Sequence, residues 1–235
     1  MTRRRWIADE VQGNHATLTG EHAAHLSRVL RAKAGQQFDV ATPTAVRVGK
    51  IISVSDDRIE FELGEEVPTI QFVDVTLVLS IFKFDRMEWA LEKCVELGAT
   101  RIIPLIAHRT EPHLASAATK RRERWQRLAL QASEQCRRTT SPEIAEPIKL
   151  KDILSQGTGA RIVLNESETA TMLADALPPA ADAMMLAIGP EGGWTPAELK
   201  LFQEAGWTSA SLGPTILRAE TAAIAATAIA LSVLQ

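Results

Sequence analysis

The chain is 235 residues long, 46% hydrophobic and 23% charged, with a formal net charge of −3. Its two cysteines, Cys94 and Cys136, lie far apart without CxxC spacing, which argues against a zinc site or a disulfide framework and fits a reducing cytoplasm. The longest apolar stretch, residues 222–234, is well short of the roughly 20 residues of a membrane span, and no apolar signal core follows the basic amino terminus, so a cytoplasmic chain without membrane attachment is expected.

The first 70 residues predict a small β-rich module. Gln37–Val40, Ala45–Ser53 and Arg58–Leu63 alternate or carry β-branched residues, with turn signals between them. One helix interrupts them, Glu21–Arg31, with Thr19 as its cap and Ala24, Leu26, Val29 and Leu30 on one apolar side. The segment Gly64–Gln71, with Pro68, marks a boundary between residues 1–70 and 71–235. Beyond it strands alternate with helices. Val73–Phe82 is a continuous apolar strand, as in a sheet buried on both faces. Arg86–Leu97 reads as a helix stopped by Gly98, Arg101–Ile106 as a strand and Ser116–Arg138 as a long helix. Arg161–Leu164, Ala183–Ile188 and Ala210–Leu212 are further strands. This alternation predicts an α/β domain with a parallel sheet, whose ligands bind off the carboxyl ends of the strands.

The loops after the last three strands fall at such ends. Residues 189–193 read GPEGG, and residues 212–222 read LGPTILRAETA. After the first, Thr195 caps a helix, Pro196 opens it and Glu198 completes a capping box, with Gly206 closing it. In the second, Arg218, Glu220 and Thr221 follow the apolar pair Ile216-Leu217 and precede a run, 222–234, with no charge. Charged groups beside a stretch that should be buried are costly unless paired or facing a cavity. The alternative is an Arg218–Glu220 surface pair at a helix start. Neither loop is a phosphate motif, since GxGxxG and GxxxxGK[ST] are both absent. A pocket lined by backbone amides and carbonyls suits a flat, polar cofactor read by its edges.

GPEGG followed by LGPTILRAETA resembles the RsmE family of SPOUT methyltransferases, which methylate N3 of a uridine in small-subunit ribosomal RNA. The resemblance extends over HLSRVLRAKAGQ at 25–36, KFDRMEWALEKCVELGA at 83–99 and SEQCRR at 133–138, and so over nearly the whole chain. It implies a small amino-terminal PUA-like β-barrel that binds RNA, then a SPOUT α/β domain with a carboxyl-terminal trefoil knot. It implies S-adenosyl-L-methionine as cofactor, held by Leu164, Asn165 and Glu166, by Ile188, Gly189, Pro190, Glu191 and Gly193, and by Leu212, Gly213, Pro214, Ile216, Leu217 and Arg218. It further implies a homodimer with the terminal helix at its interface, and an assembled small subunit as the RNA partner. Thr215 departs from the family, which often has a basic residue there, and the ATPTAV hairpin at 41–46 lacks an Asp-Gly turn.

The charge distribution fits an RNA enzyme. Residues 71–140 carry 12 Lys+Arg against 8 Asp+Glu, whereas residues 141–235 carry 5 against 11. Three basic clusters are candidates for phosphate contacts: Arg3, Arg4 and Arg5; Arg28 and Arg31, three apart on the first helix, beside His25; and the long helix, with Arg121, Arg124 and Arg138 foremost. His15, His22 and His25 do not have metal-ligand spacing with cysteines, so no metal is expected. For the chemistry, Arg218 is the candidate to stabilise a uridine anion, Glu220 to act as a base or to position Arg218, and Thr221 to hydrogen-bond the uracil edge. The rival readings are a SPOUT enzyme acting on a ribose hydroxyl or a tRNA base, a catalytically silent RNA-binding homologue, and an α/β protein for another adenine ligand.

Overall fold

The computed structural model describes residues 5–68, 73–136, 138, 140–157, 159–178 and 181–234, and the chain divides into two compact units. The first comprises residues 1–71 with 133–141. Its six-stranded sheet has the order β1-β4-β5-β6-β3-β2, with β1 Arg5–Ile7, β2 Glu10–Gln12, β3 His15–Thr19, β4 Gln37–Ala41, β5 Val46–Val54 and β6 Arg58–Val67. All neighbours are antiparallel except β1 and β4. In β6, Ile59, Phe61 and Leu63 point inward and alternate with Arg58, Glu60 and Glu62, the period of a half-buried strand. Register shifts at Arg47/Gly49 and Ile51/Ser53 curl the β5–β6 ladder. The inner face packs Trp6, Leu18, Leu26, Val40, Ile51 and Phe61 into one core.

The first helix departs from the expected form. Helix α1 spans only Gly20–Ala24 and passes into a π-helical turn, His25–Val29. The wider winding, with the Leu30 amide donating to the His25 carbonyl at 3.1 Å, turns the last residues away from the core. Ala23 and Leu26 are buried, whereas Val29 is 65% exposed and Leu30 is exposed as well. Thr19 stands at the N-cap but forms no capping bond; its hydroxyl donates to Asp9 instead. Arg31 lies beyond the turn, at φ 50°, and not one helical turn after Arg28.

The second unit comprises residues 72–132 and 142–235. Its seven strands are β7 Asp74–Ser80, β8 Arg101–Ile106, β9 Glu143–Ile144, β10 Ile148–Lys149, β11 Ala160–Leu164, β12 Ala183–Ile188 and β13 Thr208–Ala210. They pair in parallel throughout, in the order β10-β8-β7-β12-β11-β13, with β9 beside β8. Both faces of this sheet are covered, and every residue of β7 after Asp74 is buried, the polar Thr76 and Ser80 included. On one face pack α2 Phe84–Leu97, α3 Pro112–Gln135 and α7 Ala219–Leu234, with Trp125, Leu91 and Ala223 in the core. On the other, Trp194, Phe202 and Trp207 meet edge-to-face at centroid spacings of 5.0 and 5.1 Å beneath α6 Pro196–Glu204.

The local signals read from the sequence take the expected form at two helix ends. Gly98 ends α2 with φ 130°, and α6 has the full Thr195–Glu198 capping box with Pro196 at its start. The strand expected at Ala210–Leu212 lies earlier, at Thr208–Ala210, because Ser211 bridges to Met172 and leaves the edge of the sheet. Cys94, wholly buried between α2 and α7, accepts from the Thr227 hydroxyl, and burial pushes its thiol up to about 12. No helix among the described residues is long and apolar enough to cross a membrane.

Candidate active site

Strands β12, β11 and β13 are adjacent and parallel, so the three loops leaving Leu164, Ile188 and Ala210 emerge on one edge of the sheet. They enclose a cavity of about 470 Å³, within the roughly 300–1,000 Å³ usual for small-molecule sites. Its walls include Leu164, Asn165, Glu166, Ile188, Gly189, Pro190, Glu191, Gly193, Leu212, Gly213, Ile216, Leu217 and Arg218. Every residue expected around the cofactor except Pro214 is therefore brought together. Arg86, Gly192, Trp194, Ser211, Thr215, Ala219 and Ala222 complete the lining and were not expected there.

Hydrogen bonds lock the loops to one another. The Trp194 indole donates to the Leu164 carbonyl at 2.9 Å, tying the GPEGG turn to the end of β11. The Asn165 amide donates to the Ala210 carbonyl at 2.9 Å, and its side chain donates to the Ser209 hydroxyl at 3.2 Å. Glu198, buried beneath the turn, accepts from the His108 amide at 2.8 Å as well as from the Thr195 amide. Arg109 donates to the Gly192 carbonyl. Gly193 holds φ 68°, and a Cβ there would run into the Glu166 carboxylate. The site is thus framed at that point by backbone in a conformation that favours glycine.

The three residues expected to carry chemistry are not equivalent. Arg218 is exposed and lines the cavity. Glu220 is 5% exposed, is absent from the cavity wall and faces Arg86, whose Nε lies 3.8 Å from its Oε1. The surface pair between Arg218 and Glu220 does not form. Thr221 is exposed and also outside the cavity wall. Arg86 reaches Glu191 at 3.1 Å, so the charged groups around the cavity are Arg86, Arg218, Glu166 and Glu191.

The cavity fits an S-adenosylmethionine-sized ligand in its chemistry. Apolar Leu164, Ile188, Leu212 and Leu217 offer surface to a flat ring, the loop backbone offers edge contacts, and the carboxylates of Glu166 and Glu191 also line the cavity.

Among the basic candidates, Arg3 and Arg4 lie outside the described residues. Arg5 and Arg138 correct the expectation of a surface role, with exposures of 9% and 3%. Arg5 faces Asp39 at 3.9 Å, and burial pulls the Arg138 guanidinium below its usual range. His25 is half-buried with its ring 6.0 Å from that of Trp6. Arg28 is exposed and pairs with Asp56 at 3.1 Å, and Arg31 is exposed. Arg121 and Arg124 both reach Glu88 of α2, at 3.4 and 2.8 Å, while Lys120 and Arg127 are exposed on the same helix. The long helix is therefore partly neutralised from within, more than its sequence suggests.

A family model for the RNA methyltransferase domain matches residues 69–231. The chain is 34% identical over 222 residues to ribosomal RNA small subunit methyltransferase E of Mesomycoplasma hyopneumoniae, covering 94% of this chain and 95% of that protein. The crystal structure of a ribosomal RNA small subunit methyltransferase E from Neisseria gonorrhoeae, bound to S-adenosyl methionine, is similar with a TM-score of 0.88 and 29% identity, covering 100% of this chain and 98% of that one. A Legionella pneumophila methyltransferase in complex with the same cofactor gives a TM-score of 0.87 and 27% identity, covering 99% and 98%.

Proposed function

The chain belongs to the ribosomal RNA small subunit methyltransferase E family, and from that premise we propose that it methylates N3 of one uridine in small-subunit ribosomal RNA. It is an S-adenosylmethionine-dependent RNA methyltransferase. The observation that carries the site is the convergence of the loops after β11, β12 and β13 on one cavity with Arg218 in its wall.

When bound, S-adenosylmethionine supplies a methyl group already activated on a sulfonium. What remains for the protein is to orient the acceptor and to manage its charge. N3 of uridine carries a weakly acidic proton, and its loss to solvent leaves negative charge spread over the ring. Arg218, a cation in the cavity wall, is the residue we assign to stabilise that charge. The amino-terminal module and the string LGPTILRAETA, through their resemblance to the uridine-N3 group, favour a base nitrogen over a ribose hydroxyl as the acceptor.

The same reading assigns residues 1–70 to a PUA-like RNA-binding barrel and 71–235 to a SPOUT domain with a trefoil knot. The curled β5–β6 ladder supports the first. The strand order supports the second: the chain passes from β12 beyond β11 to the edge strand β13, then returns to pack α7 on α2. Arg28, Arg31, Lys120, Arg121, Arg124 and Arg127 are the cations that reach the surface for phosphates, with Arg3 and Arg4 as further candidates. A homodimer through α7 follows from the absence of charge over 222–234 and from Ile224 and Ile229, which its own unit leaves only partly buried. Light scattering on Ile229→Arg, against a dimeric wild type, checks this last point; a monomeric wild type contradicts it.

Mass spectrometry of ribosomal RNA from cells with and without this chain tests the function. Loss of one base methyl on a small-subunit uridine supports the reading, and loss of a ribose methyl, or no loss, overturns it.

A further inference from the structure

Arg86 belongs to neither glycine-rich loop, yet it joins both. It stands in the first turn of α2, with Nη1 3.1 Å from Glu191 Oε1 of the GPEGG turn and Nε 3.8 Å from Glu220 Oε1 at the head of α7. Arg86 and Glu191 line the cavity, each about one-third exposed in its side chain. Glu220 is buried, and its Oε2 has no hydrogen-bond partner among the described residues. A buried carboxylate without a cation is costly, so Glu220 depends on Arg86 for its compensation. Glu220 lies two residues after Arg218, on the same short entry to α7. Arg109 grips the same turn at Gly192, but among the described residues it has no bond to α7.

We propose that Arg86 is a positioning residue that couples the loop framing the cofactor to the segment presenting Arg218, an inference that rests on the methyltransferase reading above. One side of its guanidinium fixes Glu191 and with it the GPEGG turn. The other lies 3.8 Å from Glu220, within ion-pair distance, and holds the head of α7 by charge. Glu220 then acts through Arg86 and does not itself touch the acceptor base.

Two measurements separate these arms: calorimetric affinity for S-adenosylmethionine, and single-turnover methyl transfer at saturating cofactor and small subunits. Arg86→Ala should weaken cofactor binding about 3-fold, the scale of a partly exposed ion pair. It should separately slow transfer by on the order of 10-fold, the scale of coupling between residues in one network. Glu191→Ala should reproduce the first effect and Glu220→Gln the second. Adding Glu191→Ala to Arg86→Ala should cost no further affinity. Arg86→Lys should recover part of both losses, since it keeps the charge and loses the planar fork. If Arg86→Ala does not fold, Arg86→Lys and Glu220→Gln carry the same comparison. The proposal is overturned if folded variants lower only Tm and keep wild-type affinity and rate, or if the double substitution is additive. Affinity is measured without RNA, so a wild type that fails to methylate small subunits would sink the functional reading while leaving the coupling arm readable.

Discussion

The indole Nε1 of Trp194 donates to the carbonyl of Leu164 at 2.9 Å. This bond joins the loop after β12 to the last residue of β11, and Trp194 is itself held against Phe202 of α6. The cavity wall is thereby anchored in the aromatic core beneath the sheet. A loop anchored in this way costs a ligand less to order.

Gly193 is where that wall tolerates least. Its φ of 68° strains any L side chain, and a Cβ would meet the Glu166 carboxylate in the cavity wall. Gly193→Val should weaken S-adenosylmethionine binding by about 10-fold or more, because the added side chain takes space in the cavity wall and strain of on the order of 1–3 kcal/mol at this φ shifts the turn. Calorimetry on a variant with wild-type circular dichroism checks this. Undiminished affinity in a folded Gly193→Val protein would remove the turn from the cofactor site.

Arg218 is predicted to act on rate more than on cofactor affinity. It lines the cavity, is exposed, and has no carboxylate within ion-pair distance among the described residues, because Glu220 is engaged by Arg86. Arg218→Ala should lower single-turnover transfer by on the order of 100-fold, the scale of one preorganised electrostatic contact, while cofactor affinity changes little. Lysine should restore part of the rate. A near-normal rate for Arg218→Ala would take this residue out of the chemistry.

Much of the site is written locally and was legible on that account. The GPEGG turn, the Thr195–Glu198 capping box and the Gly98 stop depend on residues within a few positions of one another, and each takes the form its sequence dictates. The largely apolar β7, with Val75, Leu77, Val78 and Leu79, likewise declares a strand covered on both faces. What was not legible depends on partners far along the chain. Arg86 reads as an ordinary residue of an amphipathic helix until the fold brings Glu191, 105 positions away, to its side. The Trp194 bond to Leu164 spans 30 positions. Arg5 and Arg138 look like surface cations because charge is the default mark of a surface, and only the packing shows them buried. The π-helical turn at His25–Val29 has no signature in a pattern that fits an α-helix equally well.

The amino-terminal cations should divide into two classes. Arg28 and Arg31 are exposed, and replacing each by Ala should lower the slope of log affinity for RNA against log salt by roughly one, with cofactor binding retained. Arg5 is buried against Asp39, so Arg5→Ala should instead lower Tm. Filter binding at several salt concentrations, with thermal melts, measures both. An unchanged slope for the Arg28→Ala, Arg31→Ala pair would show that this surface does not meet phosphates.

The most direct measurement is transfer by the purified chain itself. Small subunits from cells lacking this protein are incubated with S-adenosylmethionine carrying a labelled methyl group, and the ribosomal RNA is digested to nucleosides for mass spectrometry. One labelled methyl per subunit, on N3 of a uridine and absent with Arg218→Ala, is the predicted result. Label on a ribose, label on several different nucleosides, or no label with a folded, cofactor-binding protein would contradict the account.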